Sequence, residues 1–150
     1  MKCSDGVGLV LKQGTISKVL VERFGKGEDI LERLTNLVEK NHIFAGSFTA
    51  IGTVEKATVG YFIGDGQYSN TSFQGPLEVV SCVGNVSLKE GRPFVHAHMT
   101  FSDRQGKTYG GHLMPGTTVD ATFEVTLHAY DDVKLVRKQD PRTKLLVLDT

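Results

Sequence analysis

From Val95 to Ser102 apolar and polar residues alternate without a break. Val95, Ala97, Met99 and Phe101 fall on one parity, and His96, His98, Thr100 and Ser102 on the other. Period two is the signature of a strand with one face buried. Val119, Ala121, Phe123, Val125 and Leu127 alternate in the same way with Asp120, Thr122, Glu124, Thr126 and His128, the cleanest strand pattern in the chain. A different period appears once. Ile30, Leu31, Leu34, Leu37 and Val38 recur at helical spacing after Gly25-Lys26-Gly27-Glu28-Asp29, which predicts a helix over Glu28 to Lys40 with Asn41 as its cap. Val7 to Leu11, Ile16 to Phe24, Ile43 to Ile51 and Val54 to Ile63 read as further strands, with Gly52-Thr53 a tight turn between the last two. Gly64-Asp65-Gly66 is a turn, Tyr68 to Phe73 a short edge strand, and Gly75-Pro76 a break. Leu77 to Leu88 is apolar on both parities and reads as a central strand, with Gly84 marking a bulge or a close approach. Pro115-Gly116 is a turn, and in the tail Leu145 to Leu148 is apolar enough to dock as a last short strand.

One helix among about eight strands predicts an α+β fold, a mostly antiparallel sheet with the helix on one face. No repeat, linker or low-complexity stretch divides residues 1–150, so a single domain is expected. One helix cannot hide a broad sheet, so the remaining surface should be covered by further copies of the chain.

Composition removes some functions. Seventeen basic and seventeen acidic residues balance, which argues against strong non-specific binding of nucleic acid. Cys3 and Cys82 stand in no metal-binding spacing, and Cys82 lies in an apolar run as a small buried hydrophobe. No signal peptide and no membrane-spanning apolar run is visible, so the expected location is the cytoplasm.

The candidate chemistry sits in Gly91 to His112. Strand period projects His96 and His98 from one face. Asp103, Gln105 and Gly106 supply a turn, and the returning segment brings His112 back towards them beside Gly110-Gly111, two residues that allow positive φ or close backbone approach. Three converging imidazoles suit zinc or another divalent transition metal, and three protein ligands leave one coordination position open. Glu78 and Glu124 are candidates for supporting acids, Arg92 for an anion contact, while His42 and His128 read as surface or packing residues.

These residues also carry a resemblance. Gly27-Glu28-Asp29-Ile30, Val59-Gly60-Tyr61-Phe62, Leu77-Glu78-Val79-Val80-Ser81 with Gly84-Asn85-Val86-Ser87, His96-Ala97-His98, Gly110-Gly111-His112-Leu113 and Ala121-Thr122-Phe123-Glu124-Val125 resemble, in order, the segments of the plants-and-prokaryotes-conserved (PPC) domain family. The resemblance implies a PPC-like α+β fold and a homotrimer of the free-standing prokaryotic type, in some members with a metal at the histidines. It also implies a possible DNA-associated or regulatory role, since plant relatives carry AT-hooks. Gly91-Arg92-Pro93 matches the core of such a hook, but Glu90 and Phe94 flank it and it leads into a strand, so any DNA binding should be weak. His96-x-His98, Asp103 and Gly110 also resemble the first half of a cupin signature, without its second half. The alternative function is therefore a metal-dependent hydrolase or lyase acting on a small anionic substrate.

Overall fold

A computed structural model describes residues 11–149. Cys3 and all but the last residue of the strand expected at Val7 to Leu11 lie outside them. The order is β1 (Thr15–Phe24), α1 (Ile30–Lys40), β2 (Gly46–Gly64), β3 (Gln67–Lys89), β4 (Arg92–Ser102), β5 (Thr108–Leu113), β6 (Thr118–Asp131), β7 (Arg137–Gln139) and β8 (Leu146–Leu148).

Neighbouring strands run β1-β6-β2-β3-β4-β5, all antiparallel, and β5 pairs back onto β2 through Val59–Leu113 and Gly60–His112. Strands β2, β3, β4 and β5 thus close into a four-stranded barrel. β5 and β6 run head to tail along one edge of β2, kinked between them at 114–117. Thr117, fully buried, fixes the kink by bonding the backbone of Thr58 in both directions, Thr58 N to Thr117 Oγ1 at 3.0 Å and Thr117 Oγ1 to Thr58 O at 3.0 Å.

The α+β assignment is corrected by this architecture. Strands hold 65% of the described residues and helix 8%, so this part of the chain is mostly β. The sequence pattern weighs elements by number, and the strands are far longer than their apolar runs suggest. Gly52-Thr53 is no turn but an irregularity inside a 19-residue strand. Gly75-Pro76 is likewise crossed by a 23-residue strand, at a register shift between Val54 and Lys56 of its partner.

The helix forms where its stripe predicts. Asp29 caps it, accepting from Glu32 N at 3.0 Å, and its other carboxylate oxygen accepts from Gly116 N at 2.6 Å, tying the helix start to the kink. Asn41 closes the far end through Leu37 O. Ile30, Leu34, Leu37 and Val38 are buried in one core with Phe48, Phe101, Phe123 and Leu127. Cys82 is buried too, and burial pushes its thiol up to about 12, which leaves it inert near neutral pH.

Many outward positions stay apolar. Val19 and Val21 of β1, Ile51 and Tyr61 of β2, and Val80 and Val83 of β3 are exposed. No helix among the described residues is long and apolar enough to cross a membrane.

Candidate metal centre

The histidine hairpin forms as the alternation predicts. Val95, Ala97, Met99 and Phe101 are buried, and His96 and His98 point the other way. Asp103 builds the turn by accepting from Gln105 N at 3.0 Å and Lys107 N at 2.9 Å. The return places His112 directly opposite His98 in register, and on its other side opposite Gly60. Gly111 is there for proximity, not for a left-handed turn. A Cβ on it would lie 2.9 Å from Gly60 O and 3.1 Å from Val59 Cβ, so any side chain would push β5 off β2 and reopen the barrel.

One ring nitrogen of each of His96, His98 and His112 lies within 4.8 Å of the others. Ring centroids stand 4.9–5.3 Å apart. His112 lies against Tyr68, ring centroids 4.8 Å apart and planes tilted by 34°, and its Nδ1 is buried without a hydrogen-bond partner. A buried nitrogen left unpaired is costly unless something takes it up, which fits a bound cation at this point. The donor set, nitrogen alone, suits zinc.

Burial, with the positive charge of Arg137 and the neighbouring rings, lowers His96 to about 4. Burial, then His98 and Arg137, lowers His112 as well. Both are therefore neutral near pH 7, the form that binds metal. This carries a sign for stability. Their unfolded forms take up protons near pH 6.5 and the folded forms only lower, so acid favours unfolding. Thermal melts of chelator-treated protein should show stability flat above about pH 7 and falling from about 6.5 towards 4. His96→Gln should flatten that slope; an equal slope in the variant would count against buried neutral imidazoles.

The sequence reading missed Arg137. It lies on β7, in the short hairpin that the tail forms with β8, and is 8% exposed. Its Nε donates to Ser87 Oγ at 2.9 Å, Nη1 to Leu146 O at 2.7 Å, and Nη2 to Asn85 Oδ1 at 2.7 Å and His96 Nδ1 at 3.1 Å. Arginine only donates, so His96 Nδ1 accepts and the neutral ring carries its proton on Nε2. Nothing in Lys134-Leu135-Val136-Arg137-Lys138 marks this arginine among seventeen basic residues, because a three-residue strand has no period to read.

The other candidates are elsewhere. Glu78 and Glu124 line a separate hollow with Ile51, Thr53 and Thr122, so they do not support the histidines. Arg92 begins β4 opposite Lys89, exposed, and the anion contact expected of it falls to no group there. Gly91-Arg92-Pro93 is a strand-to-strand turn, with Gly91 at φ 79° and Pro93 paired with Leu88, not a free arm. His42 follows the helix and His128 pairs with Ser47 and Val19 in the sheet, both away from the cluster.

Residues 11–131 match the family model of the Plants and Prokaryotes Conserved (PCC) domain. A metal-containing protein of Archaeoglobus fulgidus has the same fold, with a TM-score of 0.86 and 28% identity over 95% of this chain and 100% of that one. A candidate DNA-binding protein of Ralstonia eutropha JMP134 is 30% identical, with a TM-score of 0.78 over 87% of this chain and 90% of that one. Among curated sequences, the bifunctional protein GlmU of a Synechococcus strain is 30% identical over 132 residues, 87% of this chain. The chain spans about a fifth of the length of the curated relatives it matches.

Proposed function

Because this chain belongs to the Plants and Prokaryotes Conserved domain family, we propose that it is a metal-binding module of that family. In this reading His96, His98 and His112 hold a divalent transition metal, zinc by its preference for imidazole. The observation that carries it is the convergence of three ring nitrogens within 4.8 Å, with His112 Nδ1 otherwise unpaired. The archaeal relative of like fold is itself metal-containing, which supports the reading. A bound zinc would supply a Lewis-acidic centre. The chain's own residues orient the rings: register fixes His98 against His112, and Arg137 holds His96 by Nδ1. Taking His96 into the coordination set requires either breaking that bond or losing the Nε2 proton, so Arg137 bears on metal affinity. Elemental analysis of tagless protein purified with zinc present should find about one metal per chain. None would sink the assignment.

We further infer a homotrimer with a regulatory role and weak DNA association. The outward valines of β1 and β3 offer apolar surface for copies to cover, and the Ralstonia relative bears on DNA. With no net charge and no free hook, binding should be non-specific, with a Kd of roughly micromolar or weaker at physiological salt. Sedimentation should give a mass near three chains, unchanged by nanomolar duplex DNA. A monomer, or a tight and sequence-selective complex, would reverse this part.

A further inference from the structure

Beside the histidines lies a cavity of about 810 Å³, within the size range of small-molecule sites. Arg137 is part of its wall, together with Tyr68, Phe94, His96 and His112. Arg137 is nearly buried, yet all four of its hydrogen-bond partners are neutral acceptors. Among the described residues no carboxylate forms an ion pair with it. A buried cation without a counter-charge is expensive, and a site that keeps one is prepared for an anion. Of the five guanidinium N–H groups, four are used, which leaves one on Nη1 to donate.

The rest of the wall has the same sign. Lys89 and Lys144 line the cavity against one carboxylate, Glu90, and none of the three is in an ion pair among the described residues. In a chain whose charges cancel overall, this is a local positive excess. Lys89 Nζ and the Arg137 guanidinium both lie over the Phe94 ring, at 5.9 and 5.3 Å from its centroid, so one ring of the lining holds both cations near it. Leu146 and Leu148 of the tail hairpin make the remaining lining partly apolar.

We propose that this cavity binds a small oxyanion, a carboxylate or phosphate carried by a small molecule, through Arg137, with Lys89 and Lys144 adding positive potential. The site shares His96 and His112 with the metal centre proposed above, but it needs no metal to attract the anion. A DNA phosphate has the same chemistry; the recessed position of Arg137 favours the small molecule.

The test is an NMR titration of chelator-treated and zinc-loaded protein with inorganic phosphate, citrate and a short DNA duplex, at constant ionic strength set by chloride. Phosphate or citrate should give saturable shifts of the Arg137 side-chain N–H signal in both protein forms. Arg137→Gln should weaken binding by about tenfold or more, as expected for a lost charge-assisted bond. If Arg137→Gln fails to fold, the double variant Lys89→Gln/Lys144→Gln, whose side chains lie outside the hydrogen-bond network, should still weaken it several-fold. Three results would overturn the proposal: no saturable shift with either anion, wild-type affinity in the variant that folds, or binding only after zinc loading, which would put the anion on the metal alone. The duplex binding more tightly than citrate at the same signals would also overturn it, in favour of nucleic acid. Phosphate binding by a protein that takes up no zinc would sink the metal reading and leave this one standing.

Discussion

His98→Ala should strip most of the zinc from the protein while leaving its fold intact. The side chain is exposed on the outer face of β4, and its neighbours Ala97 and Met99 are each 2% exposed on the inner one. The alanine therefore removes a ligand without opening a cavity, and metal-free stability should change by no more than about 0.5 kcal/mol. The effect on affinity should be large. Loss of an outer hydrogen-bond partner costs a metal site about 10- to 100-fold, and loss of one of three ligands should exceed that. Titration calorimetry with zinc and elemental analysis read the two quantities directly. His42→Ala and His128→Ala, remote from the cluster, should keep wild-type metal content. Equal metal in wild type and His98→Ala would show that the ion is held elsewhere.

A large loss of stability from a single added methyl is expected at Gly84. This residue faces Phe48 on β2 and Ala97 on β4. A Cβ on it would lie 2.5–2.6 Å from two carbons of the Phe48 ring and collide with the carbonyl of His96. Phe48 is 1% exposed in the middle of the core and has nowhere to turn. Gly84→Ala should cost about 3 kcal/mol, the upper end for overpacking, and lower the melting temperature by roughly 10 °C. The displaced backbone is that of His96, so zinc affinity should fall as well. Phe48→Leu in the same chain should recover part of the stability by making room. A melt within a degree of wild type would mean that β3 and β4 are far looser than their packing indicates.

Short-range pattern made the helix and the histidine hairpin legible. Ile30 to Val38 hold helical spacing, and Val95 to Ser102 hold period two over a whole strand, so burial and direction follow from parity alone. The convergence of His96, His98 and His112 is local in the same sense, since one turn built by Asp103 fixes it. Period fails where a strand outlasts its alternation. Gly52 and Gly75-Pro76 look like turns because such residues usually are, yet here they are irregularities inside strands held by partners far along the chain. That difference is what turns an expected α+β sheet into a β barrel. Tertiary placement was equally invisible for Arg137, which a three-residue strand delivers, and for Glu78 and Glu124, which the barrel carries away from the histidines.

The seam between β5 and β2 is short, two residue pairs, and one of them contains His112. The same residue faces His98 across the other edge of β5. The third imidazole is thus carried by the stave that closes the barrel, while the other two stand on its neighbour across the opposite edge, β4. Whatever ion the three rings hold would act as a clasp between β4 and β5, adding its binding free energy to the anchoring of the stave that closes the barrel. Local opening of β5, the least tethered strand of the ring, would then be governed by free ion concentration, and the exchange of its own amides would slow as that concentration rises.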